Sequence, residues 1–157
     1  MEKFNVIIVE DAKLELKGTE EIFRSEIPEA CIIGTAMNEA ELWPLMEKQL
    51  PDLLLLDLGL GGSTTIGVEI CAKMKRLYKE VKVLIFTGEL LNEKLWGDVL
   101  DAGADGIGLN APADLIEQIE FKFRQNQHGI GNTAVFHILF CSENDISWVL
   151  SKWTVFR

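Results

Sequence analysis

The chain of 157 residues holds three cysteines, two histidines and four prolines, and has no excess of positive charge. Each shortage excludes something. Cys31, Cys71 and Cys141 are odd in number and far apart, which fits neither a disulfide framework nor a zinc site. Thiols of this kind suit a reducing, cytoplasmic compartment. His128 and His137 have no metal-ligating neighbours at ligand spacing. The 25 Asp and Glu outnumber the 15 Lys and Arg, and a formal net charge of -10 argues against a general polyanion binder. Apolar runs fall short of the roughly 18 residues that cross a bilayer, so no membrane partner is expected. The start, Met1-Glu2-Lys3-Phe4-Asn5, lacks the basic region and cleavage pattern of a signal peptide.

What is present is unevenly placed. Residues 128–157 carry Glu143 and Asp145 against Lys152 and Arg157, so the net negative charge lies entirely in residues 1–127. The tail is richer in aromatic residues and has two of the four tryptophans, Trp148 and Trp153. The glycine-containing stretch His128-Gly129-Ile130-Gly131-Asn132 marks a boundary. We therefore expect one domain at residues 1–127, with a linker and helical tail at 128–157.

Within the first segment, strands and helices alternate. Phe4 to Val9 reads as an apolar strand running into Glu10-Asp11. Residues 13–26 read as a helix with Leu14, Ile22 and Phe23 on its apolar side, stopped by Pro28. Ala30 to Ala36 is a second strand. Asn38 caps a helix through about Gln49, with Glu41 at capping-box spacing. Leu53-Leu54-Leu55-Leu56 is a strand buried on both faces, and it runs into Asp57. After a loop at 59–67, Val68 to Tyr78 forms a helix with Ile70, Met74 and Leu77 at helical spacing. Val81 to Phe86 is the fourth strand, ending at Thr87-Gly88. Residues 92–102 are helical, and Gly106 to Leu109 is the fifth strand. Pro112 starts a last helix with Leu115, Ile116, Ile119 and Phe123 on one face.

Five such units predict an α/β fold, a doubly wound parallel sheet with helices on both faces. The flavodoxin-like strand order 2-1-3-4-5 follows as the natural arrangement of a (βα)5 chain. Strands one and three are then neighbours, which gathers Glu10, Asp11 and Asp57 at one sheet end with Thr87 beside them. Three carboxylates there repel one another unless a cation or proton intervenes. Hard oxygen ligands in a solvent-facing crevice suit magnesium. A carboxylate can also be a nucleophile that forms an aspartyl phosphate. The third reading is an acidic rim with shifted pKa values and no chemistry. Gly59-Leu60-Gly61-Gly62 is not followed by Gly-Lys-Ser/Thr, which excludes a Walker P-loop.

Four blocks together carry a resemblance: Val6-Ile7-Ile8-Val9-Glu10-Asp11, Leu53 to Asp57, Ile85-Phe86-Thr87-Gly88, and Asp101-Ala102-Gly103-Ala104-Asp105-Gly106. Over about residues 3–125 the chain resembles the receiver domain of bacterial two-component response regulators. The resemblance implies Asp57 as phosphoacceptor, with a sensor histidine kinase or phosphotransfer protein as donor. It implies Mg2+ held directly by Asp11, through water by Glu10, by Asp57, and by the backbone carbonyl of Gly59. It implies Thr87 as the switch hydroxyl, and an output surface over residues 92–125. It also implies a signalling protein rather than an enzyme with a small-molecule product. A haloacid-dehalogenase-like phosphatase would need a second Asp where Gly59 stands.

Three departures from the family pattern are legible. Asn110 stands where the family has a lysine, and an amide cannot offset a phosphoryl dianion as an ammonium does. Ile107 stands where a switch aromatic is usual. The loop after Asp57 is about two residues longer than usual. These departures favour an alternative, a phosphorylation-independent pseudo-receiver acting through protein contacts. A magnesium-dependent phosphatase is a further alternative. In the tail, Thr133 to Phe140 and Glu143 to Trp153 read as short helices, the latter capped by Ser142 or Asn144. They are loosely similar to the start of a LuxR-type helix-turn-helix. A full recognition helix would lie past Arg157, so DNA is expected as a partner only if the native chain continues there. Packing of the tail on the receiver, or homodimerisation, is expected instead.

Overall fold

The structure, a computed structural model, describes residues 3–88 and 93–109. Asn110, the helix expected from Pro112, Cys141 and the tail all lie outside the described residues. Five strands, β1 (Phe4–Val9), β2 (Ala30–Ala36), β3 (Leu53–Leu56), β4 (Lys82–Thr87) and β5 (Gly106–Leu109), form one sheet in the order β2-β1-β3-β4-β5. All four pairings are parallel. Four helices alternate with them: α1 (Lys13–Glu26), α2 (Glu39–Lys48), α3 (Thr64–Leu77) and α4 (Glu93–Asp101).

The period-two alternation of strand side chains divides the core in two. Ile7, Val9, Leu54, Leu56, Val83, Ile85 and Ile107 pack with Leu42 and Met46 of α2, Ile70 and Met74 of α3, and Trp96 and Val99 of α4. Val6, Ile8, Leu53, Leu55, Leu84 and Phe86 face the other way, against Leu16 and Phe23 of α1. Both faces of β3 are thus dry, as four consecutive leucines require.

The helices are fixed by local chemistry. The Asn38 side chain accepts from the Glu41 N–H at 3.0 Å, and a Glu41 carboxylate oxygen accepts from the Met37 N–H at 2.8 Å. The first satisfies an N-terminal donor that α2 would otherwise leave open, and the second ties Glu41 back to the residue before the cap.

Two apolar assignments in the helices are corrected. Leu14 is 84% exposed. The buried residues of α1 are Leu16, Thr19 and Phe23, and Leu14 lies about 200° around the helix from Leu16. Leu77, the last residue of α3, is half exposed, and Tyr78, four positions beyond Met74, packs against the core in its place. The start of α3 is also earlier than its sequence suggests. Thr64-Thr65-Ile66-Gly67 is poor helix material by propensity, yet it forms the first turn. Tertiary packing overrides propensity here, because Gly67 sits directly on the backbone of Asp57 and Leu58.

Candidate functional site

Sheet register builds the site. Val9 pairs with Leu56, and the Asp57 N–H donates to the Val9 carbonyl at 2.9 Å. The Glu10 N–H donates to the Ala36 carbonyl at 3.0 Å. Glu10, Asp11 and Asp57 therefore leave the sheet side by side at its carboxyl end, where open α/β sheets form their crevice. Each offers a carboxylate oxygen within 4.8 Å of the other two.

The three acids differ in surroundings. Glu10 is only 7% exposed, and its carboxylate accepts the Ala12 N–H at 2.9 Å. Burial pushes its pKa up to about 7, against the Ala12 hydrogen bond and with help from the charges of Asp57, Glu15 and Asp11. Asp57 is half-buried and its pKa is also raised, chiefly by burial and further by Asp11. Opposing that rise, the Thr87 hydroxyl donates to the Asp57 carboxylate, as do the N–H groups of Gly59 and Leu58. The Gly59 N–H reaches Asp57 Oδ2 at 2.9 Å. Asp11 is half-exposed, and its Oδ2 accepts the Gly61 N–H at 2.7 Å.

Thr87 ends β4 and is fully buried. It pairs with Leu109, the last residue of β5, so Asn110 follows at the next position although it lies outside the described residues. Ile107 is 3% exposed and belongs to the core. Gly59 opens the loop after Asp57, and its carbonyl accepts the Gly62 N–H at 3.1 Å.

Sequence reasoning missed three contributors. Glu15, in the first turn of α1, adds a fourth negative charge that bears on Glu10. The loop after Asp57 is not an open coil but a 3₁₀ turn at Leu60–Gly62, anchored by buried Leu60. Gly61 and Gly62 take φ of 62° and 76°, a left-handed conformation that glycine adopts without strain. Gly67 is the third. A Cβ there would meet Leu58 Cα at 2.6 Å and the Asp57 carbonyl oxygen at 2.8 Å, so α3 can approach Asp57 only without a side chain at this position. A glycine inside a helical pattern is the signal that could have found it.

The donor set fits a hard divalent cation. It is all oxygen, one carboxylate is nearly enclosed, and the group carries negative charge that the surrounding N–H donors only partly offset. Glu10, Asp11 and Asp57 could hold magnesium.

Comparison with known proteins agrees with this arrangement. The family model described as the response regulator receiver domain matches residues 6–116. The methanol utilization control regulatory protein MoxX of Paracoccus denitrificans is 28% identical over 82 residues, 52% of this chain and 36% of that protein. The chain thus spans little more than a third of that relative's length. Among solved structures, a LuxR-family two-component response regulator from Aurantimonas sp. SI85-9A1 superposes with a TM-score of 0.69 at 22% identity, over 78% of this chain and 86% of the other. A CheY-like receiver domain protein from Methanospirillum hungatei JF-1 gives 0.67 at 26% identity, over 81% and 98%.

Proposed function

The chain belongs to the response regulator receiver domain family, and from that premise we propose that Asp57 accepts a phosphoryl group in a magnesium-dependent reaction. The donor is a sensor histidine kinase or a phosphotransfer protein. The observation that carries this reading is the placement of Asp57 itself. Its carboxylate lies within reach of Glu10 and Asp11 and accepts the Thr87 hydroxyl.

The chain's own residues divide the work. Asp57 must be ionised to attack phosphorus. The Thr87 hydroxyl and the Leu58 and Gly59 N–H groups favour its charged form against burial. Asp11 would hold magnesium directly and Glu10 through water, with Asp57 and the Gly59 carbonyl as further ligands. Bound there, magnesium supplies positive charge for the phosphoryl oxygens during transfer. Thr87 is the switch hydroxyl. Once a carboxylate oxygen of Asp57 has bonded to phosphorus and the donor has left, the Thr87 hydroxyl redirects to a phosphoryl oxygen and biases the end of β4 between two positions. Asn110, following β5, contributes an amide hydrogen bond to the phosphoryl group in place of a cation.

Residues 1–127 act as the receiver and 128–157 as a linker and tail. The output surface, residues 92–125 together with the tail, contacts a second copy or an output domain. The protein works as a cytoplasmic signalling switch rather than as an enzyme. No helix among the described residues is long and apolar enough to cross a membrane.

A second reading has specific support. Ile107 is buried and aliphatic, so β5 carries no aromatic there to exchange between core and solvent, and Asn110 carries no charge. On that reading the protein docks partners without phosphorylation. Incubation with acetyl phosphate, with and without magnesium, separates the two by intact mass on wild type and Asp57→Asn. One magnesium-dependent adduct, absent from the variant, supports the phosphoacceptor. No adduct on folded wild type supports the pseudo-receiver, and steady phosphate release from a generic phosphoester supports a phosphatase.

A further inference from the structure

The loop between β3 and α3 reaches back across the site. Its Gly61 N–H donates to Asp11 Oδ2 at 2.7 Å, a contact between residues 50 positions apart in the chain. That length is typical of a charge-assisted bond. It is made by the backbone, in a segment whose path is tightly specified. Leu60 is buried beneath it, Gly61 and Gly62 are left-handed, and the turn is closed by Gly62 N–H to Gly59 carbonyl and Ser63 N–H to Leu60 carbonyl, each at 3.1 Å. Asp11 is a partly exposed acid on the loop between β1 and α1. Glu10 is held by burial and by Ala12, and Asp57 by Gly59, Leu58 and Thr87.

We propose that Gly61 is a positioning residue for the cation site, its backbone N–H orienting the Asp11 carboxylate toward Glu10 and Asp57. The inference rests on the reading of this cluster as a magnesium site. A carboxylate has about four lone-pair positions, so one N–H on Oδ2 leaves the rest available to a metal. Hydrogen bonds to ligating carboxylates fix their orientation, and their loss typically weakens metal affinity by 10–100-fold. The lengthened loop therefore has a function of its own: it brings a donor across to Asp11. Gly61 suits this task because a Cβ-free residue at φ 62° points its N–H inward without strain.

The test removes the Gly61 N–H, and the control allows for the weaker Leu60 carbonyl that an ester leaves to accept the Ser63 N–H. Semisynthesis replaces Gly61 by glycolate, which substitutes an ester for the amide and keeps the backbone freedom of glycine. The same replacement at Gly62, whose N–H closes the turn and does not touch Asp11, is the matched control. Magnesium alone is titrated by calorimetry into both and into wild type. The expected result is a Kd raised roughly tenfold at position 61 and by less than about threefold at position 62. A second measurement needs no semisynthesis. The Gly61 amide proton in the unmodified protein should exchange slowly with solvent, and Asp11→Asn should speed it selectively. Equal affinities in all three proteins, or tighter binding by the position-61 ester, would overturn the positioning role while leaving the magnesium site intact. Absence of magnesium binding by wild type would overturn both, and is distinguished from the former by the wild-type titration itself.

Discussion

Glu10 makes the metal-free protein less stable as pH rises, and the size of the effect can be worked from its surroundings. Its carboxyl is 7% exposed and its pKa is raised from 4.5 to about 7, with burial the largest cause. A group with a raised folded-state pKa contributes stability that is fully present below the unfolded pKa. That contribution is lost as pH climbs through the folded value. The window therefore runs from about 4.5 to about 7. At 1.36 kcal/mol per pKa unit, the upper bound is about 3 kcal/mol. With a urea slope of about 2 kcal/mol per M for a small domain, that is about 1.5 M in the unfolding midpoint. The raised pKa of Asp57 adds in the same direction. Urea titrations in EDTA at pH 5 and pH 8 should show wild type losing stability across this interval. Glu10→Gln should remove most of the loss, leaving the part that belongs to Asp57. A wild-type midpoint that is flat or rises from pH 5 to pH 8, or a Glu10→Gln variant with an undiminished slope, would refute the reasoning.

Gly67→Ala forces a Cβ to within 2.6 Å of Leu58 Cα; a loss of about 1–3 kcal/mol is expected in chemical denaturation. Gly18→Ala, in α1 with nothing within 4 Å of the new methyl, should instead stabilise by about 0.5–1 kcal/mol. Thr87→Val removes a hydroxyl that lowers the Asp57 pKa, so the Asp57 titration followed by NMR should move upward, while Thr87→Ser should hold it. At the opposite end of the sheet, Lys75 Nζ lies 2.8 Å from Asp105 Oδ2 and also donates to the Lys79 and Val81 carbonyls. Lys75→Met should destabilise by about 2–3 kcal/mol, because it takes the ammonium at 2.8 Å from the enclosed Asp105 and leaves Lys82 farther off at 3.5 Å. Lys73→Ala, which removes a half-exposed ion pair with Glu39 and a stack on Trp43, should change stability by under about 1 kcal/mol.

The strand order and the meeting of Glu10, Asp11, Asp57 and Thr87 were legible because they depend on period. Apolar runs that end in acids place those acids at one sheet end, whatever the details of packing. The apolar face of α1 was less legible. Leu14 looks like core by composition, but burial follows the 3.6-residue repeat from Leu16 through Phe23, and only the docked helix shows which repeat faces the sheet. The start of α3 was hidden for a related reason. Thr64 to Gly67 has weak helical propensity, and what holds it is the seat of Gly67 on the Asp57–Leu58 backbone. The Gly61 contact with Asp11 had no sequence signal, since it depends on the path of a loop relative to a residue 50 positions away. The grouping of three acids could be expected from residue type and strand ends. Their relative protonation could not, because it is set by how deeply each is enclosed.

The most direct measurement locates the phosphoryl group. Wild-type protein is incubated with acetyl phosphate and magnesium, the acyl phosphate is reduced with borohydride, and the peptides are sequenced by mass spectrometry. The account predicts conversion of Asp57 to homoserine, dependent on magnesium, with Glu10 and Asp11 unmodified. Reduction at another carboxylate, or none on protein shown to be folded, would contradict it.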